Sequence, residues 1–264
     1  MSLRRLLSAL AAVAVAATLV PVTASRLEAQ RGPGPAGQAP YSAQQPGRNE
    51  AGRFDYYAMV LSWSPTYCAS LRRGGYEPQC HSRDGKRYAF VLHGLWPQHE
   101  RGWPQNCPTR ARPFVPQRVI DGMLDIMPSS RLVIHEYRKH GTCSGLSPQE
   151  YFKVSRKLYD TVRIPPRYER PSQAFTVSPA EVIRDFLSVN PKLKADQLAI
   201  ACGGRGNQLR EIRVCFSREG TFRSCGQNED ARRLCRASRL FVPPVRAGTS
   251  RDDRRPAPGE ERRI

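Results

Sequence analysis

What this sequence lacks narrows the field first. Beyond Val20 no apolar run is long enough to cross a bilayer, which excludes a protein built on membrane-spanning helices. No stretch repeats, so solenoids and propellers fall away. The eight cysteines form no C-x-x-C pair, and zinc sites of that spacing are absent. Acidic residues are scarce: 23 Asp and Glu stand against 42 Lys and Arg, a net charge of +19.

That charge is not carried by the ends. The first fifty residues hold five basic residues against two acids, and residues 246–264 hold six against four. Residues 51–245 therefore carry 31 basic and 17 acidic residues, an excess of 14. A folded surface of this kind suits a polyanion such as nucleic acid.

The chain opens with Met1–Ser2–Leu3–Arg4–Arg5 and an apolar centre from Leu6 to Val20. Val22–Thr23–Ala24 and Leu27–Glu28–Ala29 then offer small-residue exits. Residues 1–29 read as a secretory signal peptide, so the chain is expected to be exported, to the periplasm or the medium. Eight cysteines, none of them in the leader, then read as four disulfides whose pairing the spacing leaves open. Residues 30–50 are rich in Gly, Pro, Gln and Ala and read as a flexible lead-in. Residues 246–264 read as a disordered charged tail. Between them, residues 51–245 suffice for one domain.

Phe54–Leu61 and Tyr88–Leu92 are aromatic and β-branched and read as buried strands. Ile212, Val214 and Phe216 alternate with Glu211, Arg213 and Cys215, the period of a half-exposed strand. Ser147-Pro-Gln-Glu and Ser178-Pro-Ala-Glu each place Ser at N-cap, Pro at N1 and Glu at N3 of a helix. Val119, Ile120, Met123, Leu124 and Met127 suggest a third helix. Strands and helices without regular alternation indicate an α+β class.

Two stretches carry chemistry. In His135–Glu136–Tyr137–Arg138–Lys139–His140–Gly141, a helical step of about 100° puts His135, Lys139, Glu136 and His140 on one side and Tyr137 away from them. Ser129 or Ser130 offers an N-cap and Gly141 a stop. Such a stripe is a poor core face and a good wall for proton transfer beside an anion. In Val91–Leu92–His93–Gly94–Leu95–Trp96–Pro97–Gln98, His93 stands where an apolar strand gives way to a Gly/Pro-rich loop, a usual place for a catalytic side chain. The alternatives are plainer: a structural histidine at 93, and an exposed Glu136–Lys139 ion pair.

These two stretches resemble the active-site segments of the ribonuclease T2 family, secreted RNA-cleaving enzymes. The resemblance extends over residues 53–240. It takes in Ser62–Trp63–Ser64–Pro65 with Cys68 and the closing Ile212–Arg213–Val214–Cys215–Phe216. It implies an antiparallel sheet flanked by helices and the pairs Cys68–Cys80, Cys107–Cys143, Cys202–Cys235 and Cys215–Cys225. The second pair would hold His93 opposite His140 across a gap open to RNA. It further implies His140 as base, His93 as acid, Glu136 assisting, Lys139 stabilising a pentavalent phosphorane and His135 holding the phosphate. Trp96 would stack a base. Cleavage would leave a 2′,3′-cyclic phosphate without metal or other cofactor. RNA is then the expected partner, and DNA, lacking the 2′-hydroxyl, would not be cut. No membrane partner is implied, and the expected state is a monomer.

The sequence departs from the family pattern in three places. Tyr137 stands where Trp is usual, Ser62 where Gln is common, and Gln98, a candidate substrate-binding residue with Trp96, where many relatives carry a base-contacting acid. His81, His99 and Arg232–Arg233 match no motif and read as surface residues. Two rivals are weaker. His135–Glu136 begins like the H-E-x-x-H of zinc peptidases, but the residue at i+4 is Lys139. A non-catalytic cationic RNA-binding protein would not need the His93, His135, Glu136, Lys139 and His140 set.

Overall fold

The computed structural model describes residues 49–71, 77–81 and 85–245. The expected signal peptide, most of the lead-in and the charged tail lie outside the described residues.

β1 (Tyr56–Trp63) runs directly into the short helix α1 (Ser64–Ser70). β2 (Phe90–Gln98), the helices α2 (Gln117–Asp121), α3 (Ser130–Lys139) and α4 (Pro148–Thr161), and β3 (Phe175–Val177) follow. The chain continues with α5 (Pro179–Val189), β4 (Leu198–Gly203), β5 (Gln208–Phe216), α6 (Ala231–Leu234) and β6 (Leu240–Val242). Among the described residues one six-stranded sheet has the order β2-β1-β5-β6-β3, with β4 also on β5. Pairing is antiparallel except for one parallel pair, Gln208 with Phe241. The class is α+β, as the sequence implies.

β1 has β2 on one side and β5 on the other, so an apolar run suits it. Met59, Leu61 and Trp63 join Leu92, Ile212 and Val214 in the main core, against Val133 and Tyr137 of α3, Tyr151 and Phe152 of α4 and Phe186 of α5. Tyr56, Ala58 and Cys215 form a second, smaller cluster. Cys215 is thus buried where alternation assigned it to the outer face, because it packs there with Tyr56, Ala58 and Cys225. Four disulfides, Cys68–Cys80, Cys107–Cys143, Cys202–Cys235 and Cys215–Cys225, are the pairs the resemblance implies.

Helices α4 and α5 start where their Ser-Pro-x-Glu signals stand. Ser147 and Ser178 accept from the backbone N–H of Glu150 and Glu181, whose carboxylates bond back. The third helix differs: only Gln117–Asp121 is helical, and turns carry the chain from Gly122 to Met127. There the Ile126 carbonyl accepts from Leu92 N–H at 2.9 Å, so it serves β2 and not a helical ladder. Pro128 also disfavours helix at Met127.

Candidate active site

His93 lies inside β2, not in a loop after it. The strand runs on to Gln98, and Pro97 is tolerated because β2 is at the sheet edge. The register jumps at this point. Val60 pairs with Gly94 and Leu61 with Leu92, leaving His93 as the extra residue of a bulge. A bulge re-aims its side chain out of the regular pleat. Gly94 beside it has no room for a side chain, since a Cβ there would stand 2.0 Å from Glu136 Oε2. The buried Tyr151 hydroxyl fixes the next residue, donating to the Leu95 carbonyl at 2.7 Å.

α3 supplies the facing wall. Ser129 caps its start, its hydroxyl accepting from Leu132 N–H at 3.4 Å. The helix ends at Lys139, so His140 is the C-cap and a short 3₁₀ turn, Gly141–Ser144, follows. The loop after β2 is tied to this end twice, by Cys107–Cys143 and by Asn106 N–H donating to the Lys139 carbonyl at 2.8 Å. Tyr137 faces away from the stripe and into the core, where it packs on Tyr151 and Phe152. Tyr137, one of the departures from the family pattern, is thus a core residue.

Glu136 is not a surface ion pair. Only 1% exposed, it accepts from the Trp96 indole N–H at 2.7 Å and lies 3.6 Å from His93 Nε2. Trp96 sits between the two catalytic candidates. Its ring is 5.2 Å from the His93 ring, edge-on, and 4.9 Å from the His140 ring, stacked. The Arg213 guanidinium also lies over it, at 5.1 Å. His93 is about a third exposed at its side chain, whereas His140 is 4% exposed, covered by this stack. Both imidazoles thus contact the same indole, and His140, expected to be open to RNA, is buried. His135 is exposed and lines a hollow of about 400 Å³ with His93, Ser62 and Ser129. A second hollow of about 640 Å³ shares Ser62 and His93 and adds Arg205 and Arg210. Lys139 is half-buried at the end of the helix.

Gln98 is not brought into the site. It is 2% exposed, and its Oε1 accepts from Asn228 Nδ2 at 3.0 Å, so it has no free face for a base. His81 is exposed, His99 lies 3.8 Å from Asp55, and Arg232 and Arg233 are exposed. Sequence reasoning missed Glu211 and Arg213. Strand alternation assigned both to solvent, yet they are 13% and 16% exposed at their side chains and paired at 3.0 Å beside His93. Their only sequence signal is an acid and a base two apart on one strand face.

The charges displace the two imidazoles in opposite directions. Burial would lower the His93 pKa, but the Glu211 and Glu136 carboxylates outweigh it and raise it. Burial, with Lys139, His93 and His135 nearby, pushes His140 well below the ordinary histidine value. Burial raises Glu136 against the pull of His93, Trp96 and Lys139. Glu211 is held down to about 2: burial opposes this, and His93 and Arg213 prevail. His135 is lowered by burial, Lys139 and His93.

His93 thus lies beside the Glu136 carboxylate, and His140 stacks on the Trp96 ring that donates to it. A model of the Ribonuclease T2 family matches residues 54–225. The chain belongs to the ribonuclease T2 family. A ribonuclease of Aeromonas hydrophila is 35% identical over 183 residues, 69% of this chain and 80% of that protein. A probable ribonuclease of Haemophilus influenzae is 26% identical over 189 residues, 68% of this chain and 64% of that protein. RNase NT, solved in complex with 5′-AMP, shares the fold with a TM-score of 0.52 at 23% identity, covering 73% of this chain and all of that one. The ribonuclease T2 match takes in both histidine segments, Glu211 and Arg213.

Proposed function

We propose that this ribonuclease is an exported, metal-independent endonuclease that cuts single-stranded RNA by transphosphorylation. His140, kept neutral, takes the proton of the 2′-hydroxyl. The 2′-oxygen then attacks phosphorus, and the bond to the 5′-oxygen breaks. His93, kept protonated, gives its proton to that leaving oxygen, and a 2′,3′-cyclic phosphate remains. Lys139, with Glu136 assisting, stabilises the pentavalent phosphorane, and His135 holds the phosphate. DNA has no internal nucleophile and is not cut. The observation that carries this reading is the meeting of His93, His140 and Glu136 on one indole, that of Trp96; the opposite displacement of the two imidazoles supports dividing them into acid and base. Because His140 is buried against Trp96, its service as the base requires a rearrangement that opens that ring to RNA.

Residues 51–245 form the working domain and act as a monomer, without a membrane partner. Four disulfides and the basic, apolar leader support export to periplasm or medium. Among the described residues no helix is long and apolar enough to cross a membrane.

The test is digestion of RNA in chelator, with the new termini identified, for the parent protein and for His93→Ala and His140→Ala. Cyclic phosphate ends and a loss of roughly 10²–10⁴-fold in each variant are expected. Undiminished activity in both variants would sink the assignment.

A further inference from the structure

Glu211 has no part in the reaction just described, yet it is gripped from two sides. It lies on β5 opposite Ser62 of β1. Its Oε1 is 3.4 Å from His93 Nδ1, and its Oε2 accepts from Arg213 Nη2 at 3.0 Å and Nε at 3.3 Å. Arg213 reaches on to the buried Glu229 at 3.4 Å, and Glu229 accepts from the Tyr56 hydroxyl. A file of alternating charge thus backs the His93 ring from the sheet.

Each ring nitrogen of His93 faces a carboxylate, Glu136 at Nε2 and Glu211 at Nδ1. A neutral imidazole has one N–H and could answer only one of them; an imidazolium answers both. The Nδ1 atom is itself buried and has no hydrogen-bond partner, so an ion pair is what Glu211 offers it. Glu211 cannot turn away, because Arg213 holds its other oxygen.

We propose that Glu211, held by Arg213, is a positioning residue that fixes the His93 ring and keeps it doubly protonated until its proton is needed. The inference deepens the reading of His93 as the acid and rests on it. The groups acting on His93 are Glu136, His135 and His140 from α3 and its end, and Glu211 and Arg213 from β5. Of these the two carboxylates favour the proton, and Glu211 contributes more than Glu136.

The experiment is a titration of the imidazoles in the full chain by proton–nitrogen NMR, for the parent and for Glu211→Gln. Five histidines give five signals, and His93→Ala identifies the one that matters. The pH profile of kcat/KM on a dinucleotide runs alongside. In Glu211→Gln the His93 midpoint should fall by about one pH unit, a tenfold change in the ratio of protonated to neutral ring. The alkaline limb of kcat/KM should move with it. Glu211→Asp, which keeps the charge, should recover part of the shift. A merely structural role would lower Tm and leave both midpoint and limb in place, and that result overturns the inference. If Glu211→Gln does not fold, Glu211→Asp is read alone, with a smaller fall of the His93 midpoint expected and an unmoved midpoint overturning the inference. Full activity in His93→Ala would instead refute the acid assignment, whatever Glu211→Gln does.

Discussion

At the residue scale the proposed reaction depends on which imidazole holds a proton. His93 must be charged and His140 neutral, so kcat/KM should fall as pH drops through the His140 pKa, below the ordinary 6.5, and as pH rises through the His93 pKa, above it. A broad plateau between two limbs is the expected profile, measured on a dinucleotide at constant ionic strength. Limbs lying close together around the ordinary histidine value would mean that the surrounding charges do not separate the pair. That His135, Glu136 and Lys139 share one helix with His140 at its end was legible in the sequence from helical spacing. The site's burial was not. That Glu136 is a buried acceptor for Trp96, and that Trp96 covers His140, are contacts between β2 and α3, and no local pattern records them. Glu211 and Arg213 escaped notice for the same reason: alternation along β5 counts faces, while what packs on a face is decided elsewhere.

At the element scale the decisive piece is the bulge in β2. Gly94→Ala would push a methyl group into the Glu136 carboxylate and the Trp96 indole. The expected cost is about 1–3 kcal/mol in chemical denaturation. A loss on the order of 10²-fold in kcat/KM should accompany it, as the wall around His93 shifts. Unchanged turnover would show that the close approach of Gly94 to Glu136 does not hold the site. Sequence reading located the strand and stopped it too early, because Gly94 and Pro97 look like loop residues. An edge strand accommodates both. Where signals are local they were read correctly: each Ser-Pro-x-Glu starts a helix by capping chemistry confined to four residues. The short α2 failed for the opposite reason, since its turns are stabilised by a bond from Leu92 on another element.

At the scale of the whole molecule, the excess of 14 positive charges on residues 51–245 implies contacts with RNA beyond the scissile phosphate. KM for a long RNA should therefore rise steeply with salt, by roughly 0.7 in log KM per log salt for each phosphate met, while KM for a dinucleotide changes little. Equal salt dependence for both substrates would confine recognition to the catalytic wall. The same scale shows how little of the chain departs from ordinary folding rules. Strands pair, caps close and disulfides bind distant segments; among the described residues the sheet slips register at Ala201/Cys202 and at Val60/Leu61, and the second slip sets His93 out of step. Deleting one residue from the start of β2 would give a tidier sheet and rotate the imidazole into the wrong compartment of the fold. A sequence optimised for pairing alone would thus erase the acid, so the irregularity persists only while cutting RNA is worth more than a perfect ladder.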